Sequence, residues 1–132
     1  MLYLDSGVFI YAALSRETVG NRARQLLQKV NAGHEEASSC ALTFDELTWV
    51  VQKHRSREDA LAVGQSFLGL PNLSVFSVGQ DSLFAALSLM QKYHLDPRDA
   101  IHASAAILNR CSPIVSADAH FDRLKEVTRK PI

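Results

Sequence analysis

Apolar positions along this chain follow two periods that alternate from one end to the other. Short runs with strand character are predicted at residues 2–4, 37–41, 73–78 and 113–117, with a further edge strand within residues 127–132. Apolar residues spaced three and four apart predict helices that begin near residues 8, 19, 43, 56, 81, 97 and 122. Strands that alternate with one or two helices predict an α/β fold with three layers (α/β/α) around a central, mostly parallel sheet of four to five strands.

Several predicted helices carry recognisable start signals. Thr43 and Glu46 have the spacing of a capping box, in which the two side chains satisfy free backbone N–H groups. Ser56 precedes a second helix, and Pro97 after Asp96 opens a third at the first helical position. In the helix near residue 81, the spacing predicts four inward-facing residues: Leu83, Phe84, Leu87 and Met90.

Composition is that of one ordinary globular domain, here residues 1–132. Apolar residues make up 47% and charged residues 21%, which argues against disorder. No apolar run approaches the ~20 residues that span a bilayer, and the chain opens on strand-like residues without a signal-peptide pattern. The sequence therefore predicts a cytoplasmic protein with no membrane partner. Cys40 and Cys111 form no C-x-x-C motif and are expected to be buried free thiols.

Charge gives no simple indication of a partner. The 14 basic and 14 acidic residues cancel, so the strongly basic balance of many nucleic-acid-binding domains is absent. Basic residues do cluster in three places: Arg16, Arg22 and Arg24; Lys53, His54, Arg55 and Arg57; and Arg123, Lys125, Arg129 and Lys130. Two interpretations stay open, a solvated helix surface or a basic border that holds a phosphate backbone around an acidic centre.

Four acidic residues lie at the ends of predicted elements. Asp5 ends the first strand, Asp118 follows strand 113–117, and Glu46 and Asp99 lie in the first turns of helices. In open parallel sheets, ligands bind outside the carboxyl ends of the strands. A helix entered from such a strand begins at the same rim. Asp99 needs one more assumption, that the short loop after Tyr93 brings its helix start to that rim. The pattern then predicts a single acidic cluster.

Each acid alone also has a structural explanation. Glu46 and Asp99 suit helix starts, and Asp5 and Asp118 suit turns. Together they are costly, because two carboxylates ~4 Å apart repel by about 1 kcal/mol in water and about 4 kcal/mol at an effective dielectric near 20. Several such pairs would clearly lower the stability of a domain whose free energy of unfolding is about 5–15 kcal/mol. A bound Mg²⁺ or Mn²⁺, each of which prefers oxygen ligands, removes that cost.

Four segments resemble the successive motifs of the PIN domain. They are residues 4–10 (Leu-Asp-Ser-Gly-Val-Phe-Ile), Glu46 in a helix after a small-residue strand, residues 99–103 (Asp-Ala-Ile-His-Ala) and residues 116–122 (Ser-Ala-Asp-Ala-His-Phe-Asp). Their order and spacing span nearly the whole chain, and the last two are the most specific. The size and layout are most similar to VapC-type toxins of prokaryotic toxin–antitoxin pairs.

The resemblance implies a metal-dependent endoribonuclease that uses Mg²⁺ or Mn²⁺ on an RNA substrate. It also implies a homodimer and a cognate antitoxin that wraps the groove. The catalytic acids would be Asp5, Glu46, Asp99 and Asp118. Asp5, Asp99 and Asp118 would hold the principal metal. Glu46 would bind it directly or through water and orient the attacking water, with a possible role as general base.

The resemblance also assigns lesser roles and meets one departure. Asp122 matches a further acid that touches metal through water, and Ser6 and Ser116 match hydroxyl positions lining the site. Gly7 departs from the pattern, which often has a larger small-polar residue there, and is expected to loosen the turn without removing a ligand.

Other polar residues near these motifs carry weaker expectations. Arg16, Arg98 and His120 are candidates for contacts to RNA phosphate, although an ordinary surface position explains each of them as well. His102 lies three residues after Asp99, and a lone histidine there is expected to pack or to donate a hydrogen bond rather than to bind metal.

Two further function classes stay open at this point. A catalytically silent PIN-like module that binds RNA or protein is one, although its simplest sign, loss of an acid, is absent. Another metal-dependent phosphotransfer enzyme is the second. Its aspartyl-phosphate form would want Asp-x-Asp after the first strand, where this chain has Asp5-Ser6-Gly7, and no glycine-rich nucleotide-binding loop occurs.

Overall fold

The structure, a computed structural model, describes residues 1–132 and contains five strands and six α-helices. The strands are β1 (Leu2–Leu4), β2 (Ala37–Cys40), β3 (Leu73–Phe76), β4 (Ile114–Val115) and β5 (Arg129–Lys130). The helices are α1 (Ser6–Leu14), α2 (Thr18–Asn31), α3 (Ala41–His54), α4 (Arg57–Gly69), α5 (Gln80–Tyr93) and α6 (Pro97–Leu108), with a 3-10 helix at Ala119–Arg123.

All five strands form one parallel sheet in the order β3-β2-β1-β4-β5. Successive side chains of a strand point to opposite faces. In β1, Tyr3 joins the core formed with α5 and α6, whereas Leu4 joins the core formed with α1 to α4. Both side chains are fully buried, so helices cover both faces of the sheet. The predicted three-layer α/β/α fold is confirmed, as are the edge strand near the C-terminus and the two buried free cysteines.

The predicted capping box at Thr43 and Glu46 is wrong. Strand β2 runs directly into α3, which begins at Ala41, so both residues lie beyond the helix start. The Thr43 hydroxyl is buried and lies 2.7 Å from the Ser39 hydroxyl, and the Glu46 carboxylate contacts His102 of α6 rather than a backbone N–H of its own helix. By contrast, the cap at Ser56 is confirmed, since its Oγ accepts a hydrogen bond from the Asp59 N–H at 3.0 Å.

Helix α5 is rotated relative to the prediction. Leu83, Phe84 and Leu87 are 49%, 63% and 54% exposed, and only the predicted Met90 packs partly against the core. The buried face consists of Ser82, Ala86, Leu89 and Tyr93. The neighbouring helix α6 is rich in buried alanine, and small side chains on both helices allow a close approach. That close approach, rather than the size of the apolar residues, decides which face turns inward.

Two smaller predictions also need correction. The turn expected at Ser6–Gly7 is the first turn of α1, and Gly7 has no positive φ, so the glycine does not loosen a turn there. The final short helix begins at Ala119 and ends at Arg123, rather than beginning near residue 122. None of the helices has the length and apolar character that crossing a bilayer requires.

Candidate functional site

Strand order places two of the acids side by side. The chain winds outward from β1 through β2 to β3 and then returns to the other side of β1 with β4. Such a change of direction opens a crevice at the carboxyl ends of the central strands. Asp5 directly follows β1, and Asp118 lies three residues after Val115, the end of the adjacent β4.

Two helix starts bring the other acids to the same rim. Helix α3 leaves β2 without a loop, which places Glu46 little more than one turn above the sheet edge. Between α5 and α6 the link is three residues long, and His94 takes a left-handed conformation with φ 55°. This tight link sets the start of α6, with Asp99 as its third residue, beside Asp118 and His120.

The four acids line one polar pocket of ≈ 300 Å³. It is bordered by Asp5, Ser6, Gly7, Tyr11, Glu46, Asp99, Ser116, Ala117 and Asp118. Depth differs among the acids, since the side chains of Asp5, Glu46 and Asp99 are 12%, 16% and 17% exposed while that of Asp118 is 37% exposed. Ser6 and Ser116, which the sequence placed along the site, are buried in its floor.

Three side chains connect the acids. The Ser116 hydroxyl donates to Asp5 Oδ2 at 2.7 Å and accepts from the Asp118 N–H at 2.9 Å. His102 Nε2 lies 2.6 Å from Glu46 Oε1 and 3.5 Å from Asp5 Oδ1. The third connection is His120, with Nδ1 3.2 Å from Asp118 Oδ1 and 3.4 Å from Asp99 Oδ2. Every acid is therefore linked to another through one intervening side chain.

Local backbone donors fix the orientation of two carboxylates. Asp5 is the N-cap of α1, and its Oδ1 accepts from the Ser6 N–H at 2.8 Å. Asp118 caps the 3-10 helix, and its Oδ1 accepts from the His120 N–H at 2.8 Å. Capping and a position at the pocket are thus compatible, because each cap uses one carboxylate oxygen and both acids still line the pocket.

Asp99 is the acid whose protonation the site changes most clearly. Burial and the negative charge of Asp118, with a smaller effect of Asp5, raise the pKa of Asp99 to about 6, although the hydrogen bond with His120 opposes the change. A raised carboxyl pKa means that the ionised form is disfavoured where it stands. A cation bound near Asp99 would therefore favour its ionised form.

His102 carries positive charge into the same region. Burial by itself would lower the pKa of His102, but the hydrogen bonds to Cys40 and Glu46 and the charge of Asp5 raise it to about 10. The imidazole is accordingly charged at neutral pH and offsets part of the repulsion between Asp5 and Glu46. The sequence predicted a packing or hydrogen-bonding role for His102, and it has both.

The remaining predicted residues lie around the pocket or away from it. Arg98 and His120 border an adjoining pocket of ≈ 440 Å³ together with Glu46, Asp99 and Asp118. Arg16 is exposed and lines neither pocket.

Asp122 lies outside both pockets and pairs with Arg129 through two hydrogen bonds of 2.8 and 3.1 Å. Other members of the basic clusters are likewise bound to the protein itself. Arg24 donates to the Ala12 and Ser15 carbonyls, and Arg123 donates to the His94 carbonyl.

The donor set suits a hard divalent cation. The pocket offers four carboxylates, two serine hydroxyls and one tyrosine hydroxyl but no thiol, and Mg²⁺ and Mn²⁺ prefer oxygen ligands. Asp99 also groups with Asp96 and His120, whose ligand atoms all lie within 4.8 Å of one another. Burial and the charge of Asp118 raise the pKa of Asp99, so the ionised carboxylate is disfavoured unless a cation binds beside it.

Sequence reasoning did not identify Tyr3 and Tyr11 at the site. Tyr11 lies one helical turn after Gly7 and borders the pocket. Tyr3 lies beneath the pocket, with its hydroxyl 2.8 Å from His102 Nδ1. A signal for Tyr11 was available in its spacing from Asp5 and Gly7 on α1, whereas Tyr3 looked like an ordinary strand residue.

Comparison with known proteins gives a consistent picture. The family model for the PIN domain matches residues 2–127. A comparison of the sequence with curated proteins found no match.

Among solved structures, VapBC2 from Rickettsia felis bound to a promoter DNA fragment has a TM-score of 0.74 and 18% identity, over 100% of this chain and 99% of that chain. DNA-bound VapBC from Salmonella typhimurium has a TM-score of 0.75 and 15% identity, over 98% of this chain and 96% of that chain. Mycobacterium tuberculosis VapC20, described as a sarcin-ricin loop cleaving toxin, has a TM-score of 0.75 and 10% identity, over 90% of this chain and 91% of that chain. At these identities the likeness concerns the fold.

Proposed function

This chain belongs to the PIN domain family, and on that premise we propose that it is a metal-dependent endoribonuclease of the VapC toxin type that hydrolyses RNA phosphodiester bonds. The observation that carries the proposal is the convergence of Asp5, Glu46, Asp99 and Asp118 on one pocket. Solved toxins and toxin–antitoxin complexes of the same fold support it. Four carboxylates at one rim are costly for stability alone, and phosphodiester hydrolysis with a bound metal explains them.

The residues that would hold the metal are Asp5, Asp99 and Asp118, with Glu46 as a direct or water-mediated contributor. Asp122 would take part only through water, because its carboxylate is paired with Arg129. A bound Mg²⁺ or Mn²⁺ supplies stabilisation of the charge that develops on the phosphate oxygens and makes water a better nucleophile at neutral pH.

The protein's own groups position the reactants. Ser116 orients Asp5 through its hydroxyl and holds the backbone of Asp118 at the same time. Glu46 has one carboxylate oxygen bound to His102, which leaves the other free to orient water and accept its proton. Arg98 and His120, at the exposed border of the adjoining pocket, are proposed to contact RNA phosphates.

We also propose a cognate antitoxin and a homodimer as the partners of this protein. The support for an antitoxin is that solved structures of this fold are described as VapBC or toxin–antitoxin complexes. An apolar groove of ≈ 220 Å³ among helices α1 to α4 offers a place for such a peptide. It is lined by Phe9, Ala12, Ala13, Leu27, Leu47, Val63, Ser66, Phe67 and Leu70.

RNA cleavage in the presence and absence of metal tests the proposed function. The purified protein is incubated with a panel of structured RNAs in Mg²⁺, in Mn²⁺ and in excess chelator, and products are mapped at nucleotide resolution. We expect discrete internal cuts with metal and none with chelator. Intact RNA across the panel in both metals would refute the nuclease proposal. Cuts of equal rate in chelator would refute the metal dependence.

The pKa of Asp99 predicts how metal binding depends on pH. With a pKa of about 6, Asp99 is mostly protonated at pH 5 and ionised at pH 7.5, and only the ionised form binds a cation well. Mn²⁺ affinity is therefore expected to rise across this range, with proton release on binding near pH 6. Calorimetry in buffers of different ionisation enthalpy measures both. An affinity that does not change between pH 5 and 7.5 would contradict the prediction.

A further inference from the structure

A buried line of hydrogen bonds runs from the middle of the sheet to the pocket. It begins at the Tyr3 hydroxyl on β1, which lies 2.8 Å from His102 Nδ1 on α6. On its other side the ring places Nε2 2.6 Å from Glu46 Oε1 on α3. Tyr3 and His102 are 0% and 1% exposed, so water does not compete for these bonds.

We propose that Tyr3 and His102 are positioning residues that fix the Glu46 carboxylate, with Oε1 bound to the ring and Oε2 left for the reaction. The proposal rests on the proposed nuclease function and extends it to two residues that do not border the pocket. Neither residue would touch the substrate, and both would act through Glu46.

The line of bonds is consistent in its donors and acceptors. An ionised carboxylate can only accept, so the proton between His102 and Glu46 belongs to Nε2. On the other nitrogen, a tyrosine hydroxyl can either donate or accept. The bond between Tyr3 and His102 therefore forms in each protonation state of the ring, and the line does not depend on which one is present.

Glu46 needs such support because of its length. A glutamate side chain has several rotatable bonds and loses rotamer entropy when it is held in one conformation. The helix fixes only its backbone, and no hydrogen bond other than that of His102 reaches the carboxylate. By contrast, Asp5 and Asp118 are short and are held by neighbouring backbone N–H groups. Glu46 has the longest side chain of the four acids, and its carboxylate depends on a partner 56 positions away along the chain.

Tyr3 is the better partner of His102 Nδ1 than Cys40. The Cys40 sulfur lies 3.7 Å from that nitrogen, whereas the Tyr3 oxygen lies at 2.8 Å, and thiols form weak hydrogen bonds. The aromatic ring of Tyr3 also meets the imidazole edge to face, with centroids 5.9 Å apart. Tyr3 sits in a strand that is paired on both sides, so its hydroxyl is a rigid anchor.

A purely structural role for the same residues makes different predictions. If His102 only filled the core, its loss would lower stability but leave the turnover of the folded enzyme unchanged. Positioning instead lowers kcat while the KM for RNA stays the same, because Glu46 acts on water rather than on RNA binding. Loss of an outer residue that orients a metal or catalytic ligand typically costs about 10–100-fold.

Four variants separate these roles. His102→Leu removes both hydrogen bonds, and His102→Gln keeps a donor to Glu46 of similar reach. Tyr3→Phe removes only the hydroxyl and is the variant least expected to disturb folding. Cys40→Ala is the matched control, since it removes only the 3.7 Å contact to His102 Nδ1 and leaves the bonds of His102 to Tyr3 and Glu46 in place.

Cleavage kinetics form the first arm of the test. We expect kcat to fall about 10–100-fold in His102→Leu, to fall less in Tyr3→Phe, to recover in His102→Gln and to stay at the wild-type value in Cys40→Ala. The KM for RNA should stay constant throughout. A folded His102→Leu or Tyr3→Phe with wild-type kcat would overturn the proposal, as would a loss in Cys40→Ala equal to that in Tyr3→Phe.

Crystal structures of the same variants form the second arm and need no activity. The Glu46 carboxylate should leave its position in His102→Leu and keep it in Cys40→Ala. An unmoved Glu46 in both His102→Leu and Tyr3→Phe would overturn the positioning role even if the enzyme cleaves RNA. A wild type that cleaves no RNA would instead refute the proposed function, and the crystals would still decide whether His102 holds Glu46.

Discussion

Replacing Asp99 by Asn is expected to reduce metal-dependent RNA cleavage by at least about 100-fold. Loss of a residue that only orients a metal ligand already costs about 10–100-fold, and Asp99 is proposed as a ligand itself. The amide keeps the size of the side chain but lacks the negative charge that holds a cation. Because Asp99 lies in the first turn of a helix, the variant should fold normally. Cleavage rates under single-turnover conditions measure the effect.

A matched control for this variant is Asp59→Asn. Asp59 is the third residue of α4, as Asp99 is the third residue of α6. Both substitutions remove an acid from the same helical position and lose the same interaction with the helix dipole, but Asp59 is exposed and outside the pocket. Asp59→Asn should cleave like the wild type. Equal cleavage rates for the wild type and Asp99→Asn would contradict the role of Asp99 as a metal ligand.

We expect Asp99→Asn to be more stable than the wild type without metal and less stable than the wild type with metal. Without metal at pH 8, Asp99→Asn should melt at a higher temperature than the wild type. The raised pKa of Asp99 means that its ionisation lowers the stability of the fold as pH rises through about 6, and asparagine removes that charge. At pH 5, part-way between the ordinary carboxyl pKa of 3.8 and the raised value of about 6, Asp99→Asn should still melt higher than the wild type, but by less than at pH 8.

With Mn²⁺ the order should reverse. A cation that binds only the folded state at roughly 1,000 times its Kd adds about 4.1 kcal/mol to the free energy of unfolding, roughly 15 °C in Tm for a chain of this size. The wild type and Asp59→Asn should gain this stabilisation, and Asp99→Asn should gain little of it. Thermal melts at pH 5 and 8, with Mn²⁺ or chelator, give all the comparisons. An Asp99→Asn variant that gains as much as the wild type would contradict the account.

The elements that place the acids were predictable to different degrees. Asp5 and Asp118 each follow a short apolar strand, and adjacent parallel strands bring their carboxyl ends together, so local pattern and topology agree. Glu46 reaches the predicted rim because its helix follows β2, as expected, although no capping box forms and α3 begins at Ala41. Asp99 depended on a three-residue link whose left-handed residue, His94, has no glycine to signal it.

Other features follow from packing that sequence patterns do not show. Leu83, Phe84 and Leu87 have good helical spacing, yet the alanine face of α6 selects the opposite side of α5 for burial. His102 joins residues that are 99 and 56 positions away along the chain, Tyr3 and Glu46. A single histidine in an alanine-rich helix gives no sign of those partners. Long-range contacts of this kind appear only once the strand order is known.

The most direct test of the central claim, that the four acids form one metal site, is anomalous scattering from crystals soaked in Mn²⁺. The account predicts a manganese peak in the pocket, in contact with carboxylates of Asp5, Asp99 and Asp118, and no such peak in Asp99→Asn crystals. A pocket without manganese at saturating concentration would contradict it, and so would a peak bound only by Asp96 and His120.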